Sequence, residues 1–435
     1  MKRVLSLLLF PLLSSQSALT QATFHGDMAR TGVYDSPGPE QLKGVKWSFK
    51  TGGAIIGSPA VAGGGVFIGS TDGNLYAVDQ ETGKQKWKYA TPRQIDSSPA
   101  VVGGVVYFEG YDGTLYALAA DTGAVKWTFA TGYERRFEAN FIHGYPPRPQ
   151  TIPDSWDVFL SSPAVWNGKV YFGSGDGNVY ALDAQSGILQ WKFLTNDVVH
   201  ASPAIANNTV YIGSWDSNLY ALDAETGQEK WRFKAGQDPI IHNQVGFQSS
   251  PAVVDGTVYV GCRDGHVYAL DAATGHRRWD YSTSMSWVIT TPAVRDGTVY
   301  AGTSDSARFH ALDARTGRLR FTFDAKGYVD SSPALAGDLA YVGVTNGKLD
   351  AIDIKSGKLA WEFQTESSKK DSQKLLNADG SFNNDAIYAP VFHDFQDMPV
   401  AVSRIFSLGA IFSSPVVDHN TVYFGSTDGF LYALR

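Results

Sequence analysis

The sequence predicts an all-β protein folded as a single eight-bladed β-propeller of four-stranded antiparallel blades. Three observations predict it: an internal repeat in eight copies, hairpin turns at fixed places within each copy, and a composition rich in glycine and aromatic residues. Glycine accounts for 45 of 435 residues, aromatic residues for 13% and charged residues for only 18%. This balance favours turn-rich β-structure and excludes a disordered chain or a coiled coil.

The amino terminus has the pattern of a secretory signal peptide, which we place at residues 1–22. A basic start precedes an apolar run over 4–13, and small residues lead up to Ala22. The run is too short for a bilayer, which needs about twenty apolar residues. We therefore expect cleavage near Ala22 and a periplasmic or secreted protein with no transmembrane segment. The single cysteine, Cys262, excludes an intrachain disulfide and is not placed to be a lipoprotein cysteine.

The repeat begins with Ser-Ser-Pro-Ala-Val or a close variant, always with Ser or Thr directly before the proline. An acid or amide that begins a tight turn follows thirteen residues after each proline, and in seven copies an aromatic residue follows fifteen or sixteen residues later. A repeat of about 40 residues that holds four short strands is typical of a propeller blade. The prolines are Pro59, Pro99, Pro163, Pro203, Pro251, Pro292, Pro333 and Pro415.

Each copy divides into four strands, A to D, separated by glycine-containing turns between runs of β-branched and aromatic residues. The proline stands at the start of strand A, where a sheet tolerates it. The last copy ends after strand C, whereas a strand D over 45–49 stands alone before the first copy. Joining these two pieces closes the ring without a free edge. We therefore expect an N-terminal extension over 23–44 and one propeller domain over 45–435.

The turn before strand D carries a motif that resembles a known family. It reads Ala-x-Asp-x-x-Thr-Gly-x-x-x-Trp at 77–87 and again at 221–231. This resembles the tryptophan-docking motif of pyrroloquinoline-quinone (PQQ) repeat propellers, with Ala119 in place of the Asp in the second copy and Phe321 in place of the Trp in the sixth. We interpret the motif residues as structural, because a large indole fills the gap between blades and Asp with Thr sets the turn before it.

Two branches of PQQ-repeat propellers compete, the PQQ-dependent dehydrogenases and the non-catalytic scaffolds of BamB type. The chain resembles the BamB-type scaffolds more, because it has no adjacent cysteine pair and no Cys-x-x-Cys-His haem motif. That resemblance implies a scaffold to which no cofactor is assigned. It leaves open a dehydrogenase that uses PQQ with calcium, whose chemistry needs a carboxylate base and oxygen ligands for the metal.

All length variation falls on one face of the predicted ring. Since the strands alternate in direction, the B–C turns and the connections from strand D to the next blade share that face. Insertions in these connections occupy 133–160, 235–248 and 366–411. Binding sites tend to form on loops held by a rigid scaffold, so we expect function at this face and at the mouth of the central channel.

Candidate ligand-binding residues come from the position three before each proline, which should face the channel mouth. The polar members Asp96, His200, Gln248 and Asp330 are candidate cofactor-binding residues, and Asp96 and Asp330 are also the candidate catalytic bases. The full set around the ring is Ile56, Asp96, Leu160, His200, Gln248, Ile289, Asp330 and Phe412.

Loop residues of the same face add further candidates. Trp215, Trp287 and Arg263 could hold a planar anion by stacking and paired hydrogen bonds. None of the loop residues forms a recognisable metal or nucleophile motif. The others are Glu134, Arg135, Arg136, His143, Trp156, Asp157, His242, Asn243, His310, His393 and Arg404.

The formal net charge of −7 excludes a nucleic acid as partner, because phosphate binding needs a dense basic surface. We predict an exported module of the cell envelope, monomeric, that binds or scaffolds an envelope protein, peptide or small molecule at the channel mouth. The alternative is a PQQ- and calcium-dependent dehydrogenase.

Overall fold

The computed structural model describes residues 21–140, 149–236, 246–284, 286–391 and 395–435. It contains eight four-stranded antiparallel sheets, each in the order of a simple meander, together with a two-stranded hairpin. Each sheet is one blade, and the inner strands of successive blades contact one another around a ring. The prediction of an eight-bladed propeller is confirmed.

The strands and helices follow one another in chain order. Strand β1 is Val45–Lys50. Blade 1 contains β2–β5, at Ala60–Ala62, Gly65–Gly69, Asn74–Asp79 and Gln85–Ala90. Blade 2 contains β6–β9, at Ala100–Val102, Val105–Gly110, Thr114–Ala119 and Val125–Ala130. The hairpin β10–β11 lies at Glu138–Ala139 and Ile152–Pro153. Blade 3 contains β12–β15, at Ala164–Trp166, Lys169–Gly173, Asn178–Asp183 and Leu189–Leu194.

The second half of the ring repeats the pattern. Blade 4 contains β16–β19, at Ala204–Ala206, Thr209–Gly213, Asn218–Asp223 and Glu229–Lys234. Blade 5 contains β20–β23, at Ala252–Val254, Thr257–Gly261, His266–Asp271 and Arg277–Ser282. Blade 6 contains β24–β27, at Ala293–Arg295, Thr298–Gly302, Arg308–Asp313 and Leu319–Asp324. Blade 7 contains β28–β31, at Ala334–Ala336, Leu339–Val344, Lys348–Asp353 and Leu359–Gln364.

Three helices separate blade 7 from blade 8. They are α1 at Glu366–Leu375, α2 at Asn384–Ile387 and α3 at Met398–Ser407, with a 3-10 turn at Phe395–Asp397 before α3. Blade 8 contains β32–β34, at Val416–Asp418, Thr421–Gly425 and Phe430–Leu434. Within the described ranges, no helix has the length and apolar character needed to cross a membrane.

Blade 8 is built from both ends of the chain. Its strand order is β1-β34-β33-β32, and Trp47 and Phe49 of β1 lie opposite Ala433 and Leu431 of β34. The carboxyl-terminal residue Arg435 also exchanges backbone hydrogen bonds with Gly44. The predicted closure by the N-terminal strand D is therefore confirmed.

Tryptophans of the outer strands dock each blade against the next. Trp191 of blade 3 packs on Gly227 of blade 4 and donates its indole N–H to the carbonyl of Ala224 at 2.9 Å. Five other tryptophans make the same bond to the next blade, and Phe321, which has no N–H, only packs on Gly357. The five are Trp47, Trp87, Trp127, Trp231 and Trp279. Blade 8 has no C–D turn to receive Trp361, so the N-terminal segment supplies the acceptor, the carbonyl of Pro39 at 2.9 Å.

The N-terminal segment then runs along the inner strands and fills one end of the channel. The carbonyls of Met28, Ala29, Thr31 and Gly32 accept backbone N–H groups from strand A of blades 4, 5, 6 and 7. Arg30 is fully buried there and donates to backbone carbonyls of blades 3 and 4. This end of the channel is therefore closed by the chain itself.

A ring of hydroxyl groups joins the blades around the channel. At most blade junctions, the Ser or Thr before the repeat proline accepts the backbone N–H of its counterpart in the neighbouring blade, as when Ser98 accepts from Ser58 at 2.9 Å. In the described part of the chain, seven of the eight junctions have this bond, at 2.8 to 3.0 Å. At these seven junctions, the hydroxyl before the repeat proline thus links one blade to the next.

Candidate functional site

The channel mouth brings together the polar ring positions that the sequence singled out. Asp96, His200, Gln248 and Asp330 are all buried, each with at most 4% of its surface exposed. The connection between blades 2 and 3 contributes to this burial, since it contacts His200 through Glu134 and Asp157 and Gln248 through the carbonyl of Trp156. We call its described parts, residues 133–140 and 149–160, the strap.

His200 is held between two carboxylates of the strap. Its Nε2 lies 2.8 Å from Oε1 of Glu134 and its Nδ1 lies 2.7 Å from Oδ1 of Asp157. Burial alone would lower the pKa of His200, but Asp157 and Glu134 outweigh it and raise that pKa to about 10. His200 is therefore a cation that donates from both ring nitrogens, and it fixes the strap to blade 4.

A buried carboxyl group of blade 2 completes this cluster. Glu109 stands at the end of β7, where the other seven blades have glycine. Burial and then the negative charge of Glu134 raise the pKa of Glu109 well above its ordinary value, so it keeps its proton. A neutral Glu109 avoids repulsion with Glu134, which already accepts from His200 and from the backbone N–H of Gly175.

Arg263 forms the second anchor of the strap. Its guanidinium lies between the rings of Trp215 and Trp287, 4.4 and 3.9 Å from their centroids. It donates to Asp154 of the strap at 2.6 Å and to Gln248 at 3.0 Å. The slot between two indoles, where a planar ligand would stack, is therefore filled by a side chain of this protein.

Gln248 and Trp215 also contact the strap directly. Gln248 donates its amide N–H to the carbonyl of Trp156 at 2.7 Å. Phe137 stacks on Trp215 with ring centroids 4.5 Å apart. Five of the seven predicted ligand-binding residues, counting Trp287, thus belong to intrachain contacts at the strap or at Arg263.

Asp96 and Asp330 remain as carboxyl groups without a full set of partners. In the described part of the chain, Oδ1 of each is buried with no hydrogen-bond partner. Burial is the main cause that raises the pKa of Asp96 to about 6 and that of Asp330 to about 7. The charge of Asp305 also raises the pKa of Asp330, whereas that of Arg263 lowers it. Asp96 and Asp330 line the same small cavity.

The space that these groups line is small. The hydroxyl ring, Phe24 of the N-terminal segment and the polar ring positions enclose a cavity of about 30 Å³. Binding sites for small molecules measure roughly 300–1,000 Å³, whereas a single water needs about 10–15 Å³. The cavity therefore has room for one or two waters and none for a tricyclic quinone.

The residues that the structure describes do not fit PQQ with calcium. The cavity that they enclose is too small, and the slot between the two indoles is filled by Arg263. Among the residues that the structure describes, no group of three or more His, Cys, Asp or Glu side chains is placed to hold a metal ion. We therefore derive no chemical step through this cofactor.

The strap and the helices of the 366–411 insertion together cover the channel mouth, and we call them the cover. The helices supply apolar groups. Ile387, Val402 and Ile405 pack with Trp156 of the strap and with the apolar ring positions. This apolar cluster, which we call the cap, lies above the polar cavity and shields it from water. Its buried members are Ile56, Trp156, Val158, Trp287, Ile289, Ile387, Val402, Ile405, Ala410 and Phe412.

The remaining loop candidates are dispersed. Arg135 pairs with Asp197 at 3.0 Å, and Arg404 donates to the carbonyl of Ala386. His310 is buried between blades, which lowers its pKa to about 4. His143, His242, Asn243 and His393 lie outside the described residues.

Sequence reasoning missed three members of the site: Glu109, Asp154 and Phe137. A signal existed for Glu109, since it interrupts a glycine column of the repeat. No local pattern identified Asp154 or Phe137, because their roles depend on partners more than 70 residues away, Arg263 and Trp215.

Comparison with known proteins identifies the family. The family model described as "Outer membrane protein assembly factor BamB" matches residues 40–139, 150–286 and 246–435. The chain belongs to this family. BamB of Legionella pneumophila (strain Paris) is 26% identical over 112 residues, which cover 24% of this chain and 29% of that protein.

Quinoprotein dehydrogenases match over shorter stretches. The quinohemoprotein alcohol dehydrogenase ADH-IIG of Pseudomonas putida is 35% identical over 80 residues, 16% of this chain and 11% of that enzyme. The matched part thus spans less than a third of the length of either curated relative.

Solved structures share the fold with both branches of the PQQ-repeat family. The crystal structure of BamB from Moraxella catarrhalis superposes with a TM-score of 0.64 at 19% identity, over 90% of this chain and 97% of that one. A europium-containing methanol dehydrogenase superposes with a TM-score of 0.68 at 16% identity, over 94% and 96%. At these identities the likeness concerns the fold alone.

Proposed function

We propose that this BamB-family propeller is an exported, non-catalytic scaffold of the cell envelope that binds a protein partner through the face carrying the strap and the cap. The observation that carries the proposal is the filled channel mouth. Two of the candidate cofactor-binding residues, His200 of the ring and Arg263 of a loop, hold the strap instead. A mouth closed by its own chain supports recognition on the outer surface of the cover.

The cover offers an exposed apolar position for such contacts. Val400 of α3 is 48% exposed, although neighbouring residues of the same helix are buried in the cap. Tyr133, at the start of the strap, is 56% exposed. Tyrosine is enriched among the residues that carry binding energy at protein interfaces, and Val400 would add apolar contact on the same face. The Legionella and Moraxella relatives named BamB support a partner in outer-membrane protein assembly.

The proposal is tested by complementation in the source organism. We expect that removal of the gene lowers the amount of folded outer-membrane β-barrel proteins and that the wild-type chain restores it. Val400→Glu should fail to restore it. Ile188→Glu is the matched control, because Ile188 is 64% exposed but lies in a C–D turn on the opposite face. Unchanged β-barrel levels after gene removal would argue against the proposal, as would equal rescue by both variants.

The alternative is a PQQ-dependent dehydrogenase. It predicts that the purified protein binds PQQ with calcium saturably and oxidises an alcohol or sugar. Asp96 and Asp330 remain its candidate bases, since both face the central cavity.

A further inference from the structure

We propose that the face opposite the cap carries a binding site for an aliphatic carboxylate, in the groove between blades 1 and 2. The site is a groove of about 700 Å³ whose apolar lining includes the half-buried Val61, Ala119 and Ala120, with Phe67 and Val101 buried beneath them. Its volume falls in the range of small-molecule sites, in contrast to the central cavity. This inference is independent of the proposed scaffold function.

The site arises where the second copy of the repeat departs from the others, with Ala119 in place of the aspartate of the turn motif. In blades 4, 5 and 6, the residue before the docking aromatic is a cation that pairs with the aspartate of the turn motif. These pairs are Lys230 with Asp223, Arg278 with Asp271 and Arg320 with Asp313, at 3.2, 2.7 and 2.8 Å.

Blade 2 keeps the cation and lacks the acid. Lys126 precedes Trp127 as Lys230 precedes Trp231, but Ala119 stands where the aspartate would be. In the part of the chain that the structure describes, Lys126 has no hydrogen bond or ion pair. The blade thus presents a lysine without its carboxylate, next to the space that the missing side chain leaves.

The charges around the groove favour an anion. Lys86, Lys126 and His419 line it, together with the acids Asp121 and Asp418. Asp418 is already engaged, since its Oδ2 accepts from Gln80 at 2.6 Å and lies 2.7 Å from Nδ1 of His419. Asp121 is exposed, and the charge of Lys86 already acts on Asp79 of its own blade. Lys126 is therefore the cation that remains to meet an anionic group, beside the apolar lining of the groove.

A ligand with one carboxylate and an aliphatic body matches both features. Its carboxylate would take the place of the missing aspartate beside Lys126, and its hydrocarbon would cover the half-buried Val61, Ala119 and Ala120. An exposed ion pair contributes only about 0.2–1 kcal/mol, so the apolar contact has to supply most of the affinity and the lysine the preference for an anion.

The test uses decanoate below its micelle concentration, with decanol as its neutral counterpart. We expect the purified protein to bind decanoate saturably at one site, as measured by calorimetry and by NMR shifts, and to bind decanol at least tenfold more weakly. Lys126→Gln should weaken decanoate binding severalfold.

Ala119→Asp restores the acid that other blades carry and should lower the affinity for decanoate at least tenfold while the fold is kept. Lys230→Gln, at the same position in blade 4, is the matched control and should leave binding unchanged. Equal affinity of wild type and Ala119→Asp for decanoate, or binding that ignores the carboxylate, would overturn the proposal.

Discussion

His200 shows how a single buried cation can fix a long insertion. Glu134 and Asp157 lie within 2.8 Å of its two ring nitrogens, and all three side chains are buried. Removing one partner of a buried ion pair is costly because the other charges stay behind without compensation. The strap therefore depends on this residue more than on any surface contact that its exposed members make.

We expect His200→Gln to lower the free energy of unfolding by about 3–5 kcal/mol, since the neutral amide leaves two buried carboxylates without a cation. Urea denaturation measures the loss. His419→Gln is the control, because the His419 side chain is 83% exposed and its pair with Asp418 should contribute less than about 1 kcal/mol. Equal losses in the two variants would show that the strap is not held in this way.

Asp330 makes stability depend on pH in an unusual direction. Burial raises the pKa of Asp330 from 3.8 to about 7, so the folded state keeps a proton that the unfolded chain releases. Stability therefore falls as pH rises from about 4 to about 7. Asp330→Asn should be more stable than wild type at pH 8, by roughly 1–3 kcal/mol, and the advantage should shrink toward pH 5.

Thermal melts across this pH range measure the difference between the two proteins. Asp271→Asn is the opposite case, because Arg278 and Thr274 lower the pKa of Asp271 to about 2. That variant should lose stability at pH 8. If Asp330→Asn is destabilised at pH 8 as well, then Asp330 has a partner that the geometry does not provide.

At the scale of the blade, the Thr-Gly turn works by close contact as well as by backbone conformation. Gly275 has φ +74°, and a Cβ built on it would lie 2.6 Å from Cε3 of Trp231 in the preceding blade. Gly256, in the A–B turn of the same blade, has φ +68° with no atom within 4 Å of such a Cβ. Substitutions at the two glycines therefore separate the free-energy cost of a side chain at positive φ from the cost of its contact with Trp231.

We expect Gly256→Ala to cost about 1 kcal/mol, the usual penalty for a side chain at positive φ. Gly275→Ala should cost clearly more, about 2–4 kcal/mol, because the indole of Trp231 has to move from its dock. Chemical denaturation of both variants provides the comparison. Equal losses in the free energy of unfolding would mean that the indole of Trp231 moves aside without a measurable cost.

The elements of the ring could be predicted from the sequence, and the cover could not. Each blade is formed by residues close together in the sequence. The equivalents of Asp79, Thr82 and Trp87 recur at fixed spacing, so the strands assigned in one copy predict those of the others. The strap has no such repetition. Its place is set by pairs such as Asp154 with Arg263, which are 109 residues apart, and spacing within a sequence does not encode them.

The sequence also indicated where the insertions go. The hairpin β10–β11 and the three helices all lie in connections from strand D to the next blade. The polar ring positions do reach the channel mouth, and their assignment as ligand-binding residues stays a prediction. What the pattern could not reveal is that the same chain supplies their partners.

The molecule as a whole depends on one strand for closure. Without β1, blade 8 would expose the edge of β34, and Trp47 would no longer donate to the carbonyl of Gln80 in blade 1 at 2.9 Å. We expect deletion of residues 45–50 to abolish the cooperative thermal transition or to cause aggregation. Calorimetry and light scattering measure both. A cooperative melt with an unchanged midpoint would contradict closure by this strand.

Titration of the purified protein with PQQ and calcium tests whether the channel mouth is filled by the protein's own strap and Arg263. We expect no saturable heat, no bound quinone absorption band and no change in melting temperature. Stoichiometric binding that raises the melting temperature, and that is lost in Asp96→Asn or Asp330→Asn, would contradict this expectation.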